Sequence, residues 1–276
     1  MARVLAISSF VAFGHVGLGA IVPALQALGH DVIALPTVVL SSHYGYREVG
    51  GFDLERDQIR SIVNGLTANG WLDEVDAVLT GYMPSLDLVT SFARMLENLG
   101  AGRPDVLYLC DPVIGDDPRG VYVAEEVAAA IRDMLVPLAD VITPNRFELQ
   151  WLSGAPVTDA ASADAAAELI GADLVAATSI PAGPGMIANI ISAEDMAGQS
   201  RHPLRKGVPH GTGDLFAALL LGHLLNGLGE SEALARASAG VDIMVRESLG
   251  LTEMRLVTHL ARAAAAEAAE LEPITT

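Results

Sequence analysis

Asp105-Val106-Leu107-Tyr108-Leu109-Cys110-Asp111-Pro112-Val113-Ile114-Gly115-Asp116 is a strand-sized apolar run that ends abruptly in a carboxylate, a proline and a glycine. The pattern recurs. Short apolar runs bounded by Gly, Pro, Ser, Asp or Asn stand at Val4 to Ile7, Val32 to Leu35, Ala77 to Leu79, Val141-Ile142 and Leu174 to Ala177. Helix-length segments separate them, at Gly17 to Leu28, Leu54 to Ala68, Leu86 to Leu99, Val123 to Leu135 and Ala160 to Ile170. Such alternation predicts right-handed βαβ units in an α/β fold, a three-layer αβα sandwich around a mainly parallel central sheet. The last third departs from it. Met186 to Ile191 and Met196 to His202 read as adjacent, antiparallel strands. Three helices follow, over Thr212 to Asn226, Ser231 to Arg246 and Thr252 to Leu271. With no linker or repeat, residues 1–276 are expected to form a single domain, with 271–276 as a frayed tail beside Pro273.

Composition narrows the function classes. Half of the 276 residues are hydrophobic, so a large core can be buried. A formal net charge of −18 excludes non-specific nucleic-acid binding, which draws its affinity from Lys and Arg neutralising phosphates. It leaves room for a small anion held by backbone N–H groups. The lone cysteine, Cys110, excludes an internal disulfide and a Cys-rich zinc site, and its apolar setting reads as a packing thiol. No apolar run reaches the ~20 residues needed to span a bilayer, and no secretory signal is visible. The expectation is a soluble cytoplasmic protein with no membrane partner.

In an open α/β sheet, ligands bind beyond the carboxyl ends of the strands. Ser9 to Gly17 follows the first strand and carries a hydroxyl and two glycines, without the Gly-x-Gly-x-x-Gly of a dinucleotide site. Ser41 to Gly51 mixes His43, Tyr44 and Tyr46 with glycines, which suits a flap over a planar ligand or a solvated loop. Tyr82, after Ala77 to Leu79, could stack on a ring or close the core edge. Asp111 directly follows a buried strand, a costly place for a carboxylate without a cation. Asn145 and Glu148, three apart, could hold magnesium directly or through its waters, or form a capping box. Thr178-Ser179 could contact nucleotide phosphates or simply end a strand. Gly211-Thr212-Gly213-Asp214 then opens the apolar run Leu215 to Leu225. The first N–H groups of a helix lack partners and carry the positive end of its dipole, and small residues let an anion approach them. A carboxylate beside such a site suits phosphoryl transfer, with Asp214 taking the proton of the attacking hydroxyl, though the same tetrapeptide also fits a capped turn. A P-loop is absent from the sequence.

Together these motifs resemble those of the pyridoxal kinases of the ribokinase-like superfamily. The resemblance spans roughly residues 3–246. It rests on Ser9 with Gly14 and Gly17, Ser42-His43, Thr80-Gly81-Tyr82, Cys110 to Asp116, Ile142 to Leu149 and Gly211 to Phe216. It implies transfer of the ATP γ-phosphate to the 5′-hydroxyl of pyridoxal, with pyridoxine and pyridoxamine as related acceptors. Asp214 would be the base, and the Gly211, Thr212 and Gly213 amides the anion hole. Asp111, Asn145 and Glu148 would arrange magnesium and, with Thr143, Thr178 and Ser179, bind ATP. Ser9, Val16, His43, Tyr44 and Tyr82 would form the substrate pocket. A monovalent cation, commonly potassium, assists many relatives, and family members are usually homodimers. Tyr44 stands where relatives commonly have Thr. Phe10 replaces a common His beside Ser9, which would change the pocket's polarity. The nearest rival is a hydroxymethylpyrimidine or hydroxymethylpyrimidine-phosphate kinase of the same fold. A non-catalytic pyridoxal or nucleotide binder is a third reading, against which the retained Asp214 argues.

Overall fold

Alternate side chains of one strand point to opposite faces of a sheet, and here both faces are covered. The computed structural model describes residues 1–194 and 196–274. Its strands are β1 (Arg3–Val11), β2 (Asp31–Leu40), β3 (Gly51–Asp53), β4 (Ala77–Thr80), β5 (Leu107–Cys110), β6 (Gly115–Asp116), β7 (Gly120–Val121), β8 (Val141–Ile142), β9 (Leu174–Pro181), β10 (Met186–Ala193), β11 (Met196–Pro203) and β12 (Glu272–Pro273). Its α-helices are α1 (Leu18–Ala27), α2 (Arg56–Ala68), α3 (Leu86–Gly102), α4 (Glu125–Ala130), α5 (Arg146–Ser153), α6 (Ala160–Ile170), α7 (Thr212–Leu225), α8 (Glu230–Ser248) and α9 (Leu256–Ala264). The main sheet runs β12-β11-β10-β9-β8-β5-β4-β1-β2-β3, and β6 and β7 pair in a separate hairpin. From β2 through β1, β4, β5 and β8 to β9 every pairing is parallel, whereas the strands at both flanks pair antiparallel.

Leu5 and Ile7 of β1 face a core shared with Ile59 of α2, Phe92 of α3, Val127 of α4, Leu149 of α5 and Ala163 of α6. Val4 and Ala6 face the other core, with Ile21 of α1, Phe216 of α7, Leu234 of α8 and Ala263 of α9. The result is the expected three-layer sandwich. Cys110 is free and buried, and burial pushes its thiol up to about 12, so it packs as a small apolar side chain. Among the described residues no helix is long and apolar enough to cross a membrane.

Several boundaries differ from the sequence reading, each for a local reason. Ser8 does not end β1, because its buried hydroxyl accepts the Tyr82 N–H at 3.2 Å. The strand continues to Val11 and carries Ser9 within it. β9 likewise runs to Pro181, so Thr178 and Ser179 lie in a strand rather than after one. A register shift against β10 and a positive φ of 61° at Ser179 mark a bulge there, which re-aims those hydroxyls. The helix expected over residues 123–135 stops at Ala130. It passes into a π turn, Ile131–Leu135, and a 3-10 turn, Val136–Leu138, where Pro137 has no N–H to continue the ladder.

The C-terminal helix is the largest correction. It covers Leu256–Ala264 rather than residues 252–271. Beyond it Ala269 N–H donates to the Ala235 carbonyl at 3.2 Å, Leu271 packs on the core, and Glu272 and Pro273 pair with Gln199 and Gly198 of β11. Docking of these groups overrides the helix propensity of an alanine-rich stretch. The expected frayed tail is therefore a strand as far as Pro273, and its last two residues, 275–276, lie outside the described residues. Deleting residues 271–276 removes the half-buried Leu271 and Ile274 and should cost about 2 kcal/mol. A thermal melt should then fall by roughly 6 °C.

Candidate active site

The carboxyl ends of β1, β4, β5, β8 and β9 meet the N-terminus of α7 around a cavity of about 720 Å³. Every candidate residue of the sequence reading lines it. Ser9 and Val16 come from β1 and the turn after it, His43 and Tyr44 from the flap, and Tyr82 from beyond β4. Asp111, Thr143, Asn145 and Glu148 follow β5 and β8, Thr178 and Ser179 lie in β9, and Gly211 to Asp214 open α7. Phe10 does not line it. Ser9 and Val11 face the cavity, so strand alternation turns Phe10 to the other side, where it is 43% exposed. Its replacement of a histidine therefore leaves the polarity of the cavity unchanged.

At the head of α7, Gly211 caps the helix with φ 95° and no side-chain hydrogen bond. A Cβ there would lie 2.0 Å from the His15 carbonyl oxygen, so the loop closes on the turn after β1 only because the residue is glycine. Gly17 plays the same part opposite it: with φ 52°, its Cβ would lie 2.3 Å from the Ser9 carbonyl oxygen. Asp214, half-buried in the first turn, faces the backbone N–H groups of Gly17 and of its own residue, which favour its ionised form. Burial outweighs them and lifts its carboxyl to about 6.

Asn145 and Glu148 do form the capping box of α5. The Asn145 side-chain oxygen accepts the Glu148 N–H at 3.0 Å, and its amide donates to the Gly115 carbonyl at 2.8 Å. Glu148 Oε2 accepts the Asn145 N–H at 2.9 Å, while Oε1 accepts those of Ile114 and Gly115 at 2.9 and 3.3 Å. Burial still raises Glu148 to about 7. Asp111, which accepts from Thr143 Oγ1 at 3.1 Å, is pushed well above the usual carboxylate range by burial, then by the charges of Glu148 and Asp214.

Sequence reasoning passed over other lining residues. Asp116 and Arg119 lie in and beside the β6–β7 hairpin, Tyr122 just after it, and His210 immediately before the anion loop. Two-residue strands leave no periodic signal, although Asp116 stood in the quoted Asp111 to Asp116 segment. Asp116 Oδ1 is buried without a hydrogen-bond partner. Among the described residues no group of three or more His, Cys, Asp and Glu forms a metal cage. What the cavity offers instead is an all-oxygen set, Asp111, Asp116, Asn145 and Glu148, whose buried negative charge calls for a cation. That fits a hard divalent ion shared with phosphates and keeping its waters.

Toward the other end, the Tyr44 and Tyr82 rings stand 6.5 Å apart. Tyr82 is pinned through its backbone, its N–H donating to Ser8 Oγ and its carbonyl accepting from Thr37 Oγ1. Burial holds its phenol at about 12, so it stays a neutral aromatic wall. One cavity thus combines the N–H groups of a helix head, a half-buried carboxylate and a slot bordered by aromatic rings.

Comparison with known proteins places this arrangement. The family model described as phosphomethylpyrimidine kinase matches residues 24–259. The curated pyridoxal kinase PdxY of Corynebacterium diphtheriae is 36% identical over 245 residues, 87% of each chain. The pyridoxine/pyridoxal/pyridoxamine kinase of Bordetella bronchiseptica is 38% identical over 86% of each chain. The solved pyridoxal kinase from Leishmania donovani, in complex with ADP and pyridoxamine, superimposes with a TM-score of 0.92 at 32% identity, covering 100% of both chains.

Two glycines of the anion loop should respond differently to a methyl group. Gly211→Ala meets the His15 backbone and an unfavourable φ, so urea denaturation should show a loss of about 3 kcal/mol or more. Gly213→Ala has nothing within 4 Å in its way. Its stability should stay within about 1 kcal/mol of the parent.

Proposed function

The chain belongs to the phosphomethylpyrimidine kinase family and, within it, to the pyridoxal kinases; on that premise we propose that it transfers the ATP γ-phosphate to the 5′-hydroxyl of pyridoxal, and also of pyridoxine and pyridoxamine. The observation that carries the reading is Asp214: a half-buried carboxylate in the first turn of α7, beside free helix N–H groups and in one cavity with the Tyr44–Tyr82 slot. The pyridine ring lies in that slot, with Ser9, Val16 and His43 around it, and its hydroxymethyl group points to Asp214. Asp214 accepts the hydroxyl proton as the new O–P bond forms and the bond to the β-phosphate oxygen breaks, releasing ADP. The Gly211, Thr212 and Gly213 amides stabilise the charge on the transferring phosphoryl group. Thr143, Thr178 and Ser179 contact the nucleotide phosphates. Magnesium would be held by Asp111, Asp116, Asn145 and Glu148, directly or through water, and would supply charge neutralisation between the phosphates. Glu148 thus serves twice, as cap and as part of the cation's surroundings. The family resemblance extends the proposal to a potassium-assisted, cytoplasmic homodimer, and the lone free cysteine suits a reducing compartment.

The family's own description names a pyrimidine ring, so the acceptor is the point to test. ADP release coupled to a spectrophotometric readout should run fastest with pyridoxal in a panel of pyridoxal, pyridoxine, pyridoxamine and hydroxymethylpyrimidine. Turnover confined to hydroxymethylpyrimidine would move the chain to the rival activity, and no acceptor-dependent ADP release would leave a non-catalytic binder. Asp214→Asn should lower kcat by about 10³-fold while the KM for ATP moves by no more than about threefold. Because the folded Asp214 carboxyl sits near 6 and only its ionised form accepts a proton, kcat/KM should fall as pH drops below about 6. That acid limb should be missing from the residual activity of Asp214→Asn.

A further inference from the structure

The segment between α8 and α9 has no part in the chemistry described above, yet it sets one carboxylate, that of Glu253, against segments that border the cavity. Glu253 is more than two hundred residues away in sequence from the groups it touches. Its Oε1 accepts the Tyr46 hydroxyl at 2.6 Å, and its Oε2 accepts the His15 N–H at 3.1 Å. His43 Nε2 lies 3.7 Å from Oε1, and the Glu253 side chain is only 15% exposed. Gly14 makes this approach possible: with φ 112°, its Cβ would lie 2.6 Å from Glu253 Oε2. Gly14, the first of the two glycines after β1 and unexplained by the phosphoryl-transfer geometry, therefore has a task.

The contacts join three segments that border the cavity. Tyr46 and His43 belong to the flap, whose base is closed by the Ser41 N–H donating to the Gly50 carbonyl at 2.7 Å. Their rings pack 4.7 Å apart, and His43 also stacks 4.4 Å from His210, which precedes the anion loop. His15 lies in the turn that receives Gly211, and Met254, the neighbour of Glu253, would meet a Cβ at Gly211 at 2.9 Å. The flap itself holds no helix or strand from Ser41 to Gly50. Its order therefore depends on such tethers.

We propose that Glu253 is a positioning residue for the acceptor: its carboxylate latches the flap of residues 41–50 to the turn after β1, which sets His43 and Tyr44 over the slot. The latch holds the acceptor end and leaves the nucleotide end alone. The kinetic part of this inference rests on the proposed activity; the latch itself does not.

Two measurements on the full-length protein test it. Arg47 is exposed in the flap, so the rate at which trypsin releases the fragment 1–47, read by mass spectrometry without ligand, reports the latch directly. Tyr46→Phe removes a single hydroxyl and Glu253→Ala the whole acceptor pair, and both should speed this cleavage at least about fivefold. Glu253→Gln, which keeps an acceptor for Tyr46 and loses the one facing His15, should fall between Glu253→Ala and the parent. In steady state, both Tyr46→Phe and Glu253→Ala should raise the KM for pyridoxal about tenfold, with kcat and the KM for ATP within about threefold. Unchanged cleavage after Arg47 in Tyr46→Phe overturns the proposal even if Glu253→Ala does not fold. So does a parallel rise in both KM values with normal cleavage. If the parent shows no pyridoxal-dependent ADP release, the proposed activity falls and the tryptic rates alone decide the latch.

Discussion

A single buried carboxylate, that of Glu148, sets one wall of the cavity. It gathers backbone N–H groups from Ile114, Gly115 and Asn145, and so ties the segment after β5 to the start of α5. Without an acceptor those buried donors would each be left with a desolvation cost of about 1–3 kcal/mol. The same bonds place the β6–β7 hairpin, and with it Asp116, Arg119 and Tyr122, at the edge of the cavity. The arrangement is strained electrostatically, since burial lifts Glu148 to about 7 and raises Asp111, which the charges of Glu148 and Asp214 raise further. On the proposed function, a site built this way would favour the arrival of a cation with its anionic ligand over the empty state.

That logic reconciles an acidic protein with an anionic substrate. The net charge of −18 is a property of the whole chain, whereas in the proposed reaction the phosphates would meet the uncharged but oriented amides at the head of α7. The helix N-terminus and the glycines beside it supply local positive potential that no count of Lys and Arg reveals. In that proposal a cation would offset the carboxylates rather than compete with them.

Alternation of strand-sized and helix-sized segments made the layers and the parallel middle of the sheet readable from the sequence, because burial on both faces requires continuous apolar runs. The strand-end rule gathered Ser9, Tyr82, Asp111, Asn145 and Glu148 toward one cavity, and the helix-head argument added Asp214, all without knowledge of their distances. Elements stabilised from afar were not readable. Ser8 reads as a strand breaker until Tyr82 is seen to satisfy it. Alanines after residue 264 read as helix until Ala269 and Leu271 are seen to dock elsewhere. Glu253 carries no local pattern at all, because its meaning lies in Tyr46 and His15.

The short strand β12 has one more consequence. It lies beyond β11 at the end of the ten-stranded sheet, where an uncovered row of N–H and C=O groups would be a template for another chain. Two residues ending in a proline, which cannot donate a hydrogen bond, cover part of that row and offer a poor surface for further growth. β12 thus guards this edge of the sheet against edge-to-edge pairing.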